Sequence, residues 1–125
     1  MFRLCLSVLC AIICAGCGSP HASDLRIDSA LHAQFEVEGS LQTVANNIAK
    51  KNDECRVFGA GYVSIFEELG EARIEYKPTD RVLMALIDLK KHGGKIHVSI
   101  YAESFAKKRS VQTLEYGAKG LPGCP

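Results

Sequence analysis

Strict alternation of apolar and polar residues constrains this chain more than any other feature. It is clearest in "LHAQFEVE" (31–38) and "KIHVSIYAES" (95–104). A period of two belongs to a strand that buries one face and wets the other. Leu31, Ala33, Phe35 and Val37 share one side of the first run, and Ile96, Val98, Ile100 and Ala102 share one side of the second. Any fold for this chain must therefore cover one face of a sheet.

The segments between these runs supply the cover. After Gly39, Ser40 is placed to cap a helix, "LQTVANNIAKKN" (41–52), with Leu41, Val44, Ala45, Ile48 and Ala49 on one stripe. Lys50 and Lys51 fall in its last turn, where the helix dipole favours them. "RVFGAGYVSIFEE" and "EARIEYK", separated by "LG", predict a hairpin with Ala72, Ile74 and Tyr76 opposite Arg73, Glu75 and Lys77. Pro78 stops that strand, and Thr79 is placed to cap a second helix, "DRVLMALIDLKKH" (80–92), closing at Gly93–Gly94. "KKR" (107–109) predicts a turn and "SVQTLEYG" (110–117) a final strand. The expected order is β-α-β-β-α-β-β. Short hairpins imply an antiparallel sheet and two one-sided helices imply one covered face, so we expect a two-layer α+β domain of about five strands with two helices on one face.

Apolar residues make up 47% of the chain and charged residues 23%, which argues against wholesale disorder. The net charge of +1 gives no electrostatic reason to expect a nucleic-acid partner.

Residues 4–15, "LCLSVLCAIICA", carry no charge, follow Arg3 and end in small residues. This is the layout of a secretory signal, and it is shorter than the roughly 20 apolar residues of a membrane span. Cys5, Cys10 and Cys14 serve there as small hydrophobes. The end of the segment, "ICAGC" (13–17), resembles the lipobox of bacterial lipoprotein precursors, with Ala15 and Gly16 before the acceptor Cys17 and Cys14 where the family most often has Leu. The resemblance implies diacylglycerol on the Cys17 thiol, cleavage before it, and acylation of the new amino terminus. Gly18, in place of the Asp that retains such proteins in the inner membrane, implies the outer membrane.

Three expected segments follow: a signal peptide (1–16), lipidated Cys17 with a flexible tether (17–29), and one globular domain (30–125). Cleavage would remove Arg3 and leave basic and acidic residues equal in number, so attachment would rest on lipid rather than charge. With Cys17 acylated, Cys55 and Cys124 remain as one pair. A bridge between them would close a loop of about 70 residues, worth about 4 kcal/mol on the chain-entropy model. A helix ending near a cysteine, two hairpins and an aromatic-Gly…Cys tail also look like small Gram-negative outer-membrane lipoproteins, a likeness that brings no activity with it.

Few residues read as chemistry. His97, Ser99 and Glu103 share one side of one strand and point in parallel, whereas a triad needs groups converging from different elements. His21, His32, His92 and His97 lack ligand spacing, so no metal or cofactor site is expected. Asp53 and Glu54 belong to a helix-to-strand turn. "GAGY" (59–62) lacks the sequel of a phosphate loop and is read as a place where the sheet bends. Lys107, Lys108 and Arg109 form a candidate surface contact for lipid headgroups or anionic glycans. The expectation is a non-catalytic, outer-membrane-anchored binding domain facing the periplasm, with an envelope protein or glycan as partner. The alternative is a carrier or sensor of an apolar ligand held between sheet and helices. A hydrolase using His97 ranks third.

Overall fold

The computed structural model describes residues 21–125; the expected signal segment and lipobox, with Cys17, lie outside them. Five strands, β1 (Leu31–Glu38), β2 (Gly61–Phe66), β3 (Glu71–Tyr76), β4 (Ala85–His92) and β5 (Lys95–Ala102), form one sheet in the order β1-β5-β4-β3-β2. Each neighbouring pair is antiparallel. A short helix, α1 (Ala22–Leu25), precedes β1, α2 (Leu41–Cys55) joins β1 to β2, and α3 (Lys108–Lys119) follows β5. The protein is an α+β two-layer domain.

The alternation read from sequence sets the facing of β1, β3 and β5. Ile96, Val98, Ile100 and Ala102 are buried, as are Ala72, Ile74 and Tyr76, while His32, Gln34, Glu36 and Glu38 are exposed. The α2 helix starts where Ser40 Oγ accepts the Thr43 N–H at 3.1 Å, and it buries Leu41, Val44, Ala45 and Ile48 against the sheet. The α3 helix lays Val111, Leu114 and Ala118 on the same core. Its Gly117 lets the two helices cross closely: a Cβ there would stand 2.9 Å from Ile48 Cα and 3.0 Å from the Asn47 carbonyl oxygen.

Residues 80–92 are not the expected second helix. Ala85–His92 is the central strand β4, hydrogen-bonded on both sides, with Ala85, Ile87 and Leu89 toward the helices. Leu86, on the opposite face, is equally buried, against Leu83, Leu25, Ala22 and Ala30. A strand covered on both faces loses its alternation and reads as a continuous apolar run. Gly93–Gly94 is the two-residue loop of the β4–β5 hairpin, with Gly93 at φ 64°.

Residues 107–117 differ as well. "KKR" opens α3, and the expected last strand "SVQTLEYG" is helical. The order β-α-β-β-α-β-β therefore becomes α-β-α-β-β-β-β-α, with α2 and α3 together on one face. The expected tether (17–29) holds structure too. Ala22 and Leu25 of α1 are buried on the far side of the sheet, and Arg26 clamps Asp88 through Nε and Nη2 at 2.7 and 2.8 Å. That pairing holds the Arg26 pKa above its ordinary value. Of "GAGY", only Gly61 and Tyr62 belong to a strand. Gly61 starts β2 beneath the Tyr76 ring, whose Cε1 would be 2.5 Å from a Cβ.

Candidate functional site

A cleft of about 570 Å³ opens where the end of α2, the start of α3 and the C-terminal tail meet. Its wall is tied by the Cys55–Cys124 disulfide, with Cα atoms 5.7 Å apart, so the expected pairing is present. The tail is thereby fastened to the last residue of α2.

The floor is apolar. Val57 and Phe58 come from the loop after α2, Met84 from just before β4, and Phe105 and Ala106 from the loop before α3. Buried Asn52 fixes this floor. Its Oδ1 accepts the Phe58 N–H at 2.8 Å, and its Nδ2 donates to the Phe58 and Gly59 carbonyls at 2.7 and 3.2 Å. The Phe58 ring stacks on Tyr76 at a centroid distance of 5.5 Å. Burial pushes the Tyr76 hydroxyl pKa above its ordinary range, with the Asp53 charge adding to it.

The rim is cationic. Arg56, Lys107 and Arg109 line it, and among the described residues no acidic side chain does. Two local preferences are broken here. Arg56 follows α2 in the left-handed conformation at φ 51°, the position where glycine is usual. Lys107, Lys108 and Arg109 begin α3, at the positive end of its dipole, with no side chain capping the first turn. Each cation so placed is disfavoured by about 0.3–1 kcal/mol if it stays near the terminus. Anions are the natural counterpart of uncapped N–H groups surrounded by cations.

A second cleft, of about 370 Å³ on the opposite face, has the contrary electrostatics. Its Arg26 is paired with Asp88, and its Arg73 lies 3.1 Å from Glu75 while also covering the Phe66 ring. Its lining mixes both signs, with Glu71 and Asp88 beside Arg26, Arg73 and Lys90.

The other sequence candidates do not converge. Ser99 is buried and accepts a hydrogen bond from Gln34 Nε2 at 3.2 Å. His97 is half-buried between Glu36 and Lys90 in register, and Glu103 lies beyond the end of β5, where its N–H bonds the Met84 carbonyl. His92 Nδ1 lies 3.2 Å from Glu36 Oε1. Among the described residues no group of three His, Cys, Asp or Glu is placed to hold a metal, and no helix is long and apolar enough to cross a membrane.

Lys107, Lys108 and Arg109 are exposed, with Lys107 and Arg109 on the rim. Arg56, Phe58, Met84 and Phe105 were not legible as site residues. The nearest signal was Phe105, an aromatic beside the basic triplet that stands 62% exposed. No protein-family model, curated protein or solved structure matches this chain.

Proposed function

We propose that this protein is a lipid-anchored, non-catalytic binding domain of the bacterial envelope, held to the outer membrane through Cys17 and facing the periplasm. Its ligand is an anionic envelope component with an apolar portion, of the kind an acylated headgroup presents. The observation that carries the binding reading is the cleft: an apolar floor, three cations on its rim and, among the described residues, no acidic side chain in its lining. Exposed Phe105 beside Lys107–Arg109 adds the pairing of aromatic and basic side chains that suits a lipid interface. The runner-up, a carrier of an apolar ligand, draws on the same floor. The layer between sheet and helices is filled by Ile48, Ile74, Ile87, Ile100 and Leu114, all fully buried.

The test separates anchor from cleft. Cys17→Ser should abolish the acyl mass on the protein and release it from membranes in high salt, where charge-based binding is screened; retention of the acyl mass would remove the lipoprotein reading. The released protein should bind vesicles of anionic phospholipid over zwitterionic ones, and Lys107→Glu with Arg109→Glu should abolish that preference. Equal binding to both vesicle types would overturn the anionic-ligand reading.

A further inference from the structure

The β2 strand is a sheet edge, and among the described residues it lacks the devices that keep an edge from pairing. Its six residues, "GYVSIF", contain no charge and no proline. Tyr62 is 56% exposed, Val63 42% and Phe66 41%. Backbone N–H and C=O groups along an edge face outward at every second residue, and a flat, uncharged, β-branched and aromatic edge is a template for another strand. Proteins ordinarily blunt such an edge with lysine, proline, a bulge or a covering element.

The sequence of the strand also says what kind of strand fits. Facing along β2 is fixed by its register with β3: Val63 and Ile65 stand opposite Ile74 and Ala72 on the helix side, and Tyr62, Ser64 and Phe66 stand opposite Glu75, Arg73 and Glu71 on the other. A two-fold axis normal to a sheet makes antiparallel neighbours of two identical edges and opposes only residues of like facing. Placed at Ser64, that axis sets Ser64 against Ser64, Val63 against Ile65, and Tyr62 against Phe66. Hydroxyl meets hydroxyl, β-branched meets β-branched, and aromatic meets aromatic, which are favourable cross-strand pairs. Beyond the strand, Glu67 and Glu68 of one copy would face Gly61 and Ala60 of the other, so no like charges oppose. "YVSIF" is a chemical palindrome, and a palindrome on a free edge is what a second copy of the same chain requires.

We infer that β2 is a homodimerisation edge, where two copies pair antiparallel about Ser64 and join their sheets into one continuous sheet. The pairing leaves the cationic cleft out of the interface, so its failure and that of the binding proposal are separable.

The test uses the full lipidated chain in detergent. Sedimentation should show a concentration-dependent dimer, and Ser64→Cys should form an intermolecular disulfide under mild oxidation. Glu68→Cys, far from its own copy in this register, should not. Val63→Lys, which places a charge on the helix side of the edge, should weaken association by about tenfold or more. If that variant fails to fold, Tyr62→Lys serves in its place. A monomer at every concentration, or equal crosslinking at positions 64 and 68, would overturn the proposal. So would a Ser64→Cys adduct in cells to a different envelope protein, which would assign the edge to a heterologous strand.

Discussion

The two edges of the sheet are built in opposite ways. On β1 the exposed side carries His32, Gln34, Glu36 and Glu38, and the register with β5 is irregular between Leu31 and Ala33. The α3 helix leans over this strand, with Lys119 Nζ 4.7 Å from the Phe35 ring centroid. On β2 the exposed residues are apolar, the register with β3 is regular, and no charged residue interrupts the strand. Their supports differ in range as well. The cover of β1 depends on α3 and its tail, which a covalent bridge fastens to α2. The approach to β2 depends on one polar side chain, Asn52, and on the Tyr76 ring packed against Gly61. Each edge strand has a helix against it, but the polar edge relies on one held through the disulfide, whereas the apolar edge is aimed by a short loop pinned by Asn52.

The largest expected effect tests the first support. Cys55→Ala should cost about 4 kcal/mol in a chemical unfolding curve and leave Cys124 open to alkylation without reductant. Hydrogen exchange should rise most in α3, the tail and β1. Asn52→Ala tests the second support, because it strips partners from the Phe58 N–H and C=O. A loss of about 2 kcal/mol is expected, with exchange rising in residues 56–66 and not in β1. If both variants loosened the same region, the contrast between the edges would collapse.

The smallest effect concerns pH. Tyr76 has its folded pKa raised by burial, so its neutral form is the one the fold favours. Its contribution is fully present below the unfolded tyrosine pKa of about 10 and is lost as pH rises beyond that value. Tyr76→Phe should leave stability at pH 7 within about 1 kcal/mol, because a buried hydroxyl with no protein partner is removed. It should also flatten the alkaline decline, which melting curves across pH 8–11 would register. An unchanged decline would assign it to other groups.

Which parts of this architecture could be read beforehand follows from how each element is covered. Strands β1, β3 and β5 keep a wet face, so their alternation survives in the sequence, and α2 shows its stripe because only one side is buried. The central strand β4 has Leu86 packed on one face and Ile87 on the other, so its pattern resembled a greasy helix. The Gly-Gly pair after it carried the hairpin signal. The α3 helix hid differently. Its apolar stripe is only three residues, Val111, Leu114 and Ala118, and it is broken by buried Thr113 and by Gly117, where α2 approaches closely. At the cleft, Cys55, Cys124 and the basic triplet were visible as residue types. Arg56, Phe58 and Met84 were not, since only the folded topology gathers three separate loops at one place.

The strand order also sets a timetable. The strands β2, β3, β4 and β5 form a meander of consecutive hairpins, each closing a short loop. The first strand instead waits for β5, its neighbour in the sheet, which lies beyond all the others in the chain. Closing that long loop is the slow, entropically costly step, because non-local contacts bring their gain only after the chain between them is confined. A chain delivered amino terminus first presents Phe35 and Val37 early and covers them late. The length of that exposure is governed by the arrival of β5 and not by anything in β1 itself.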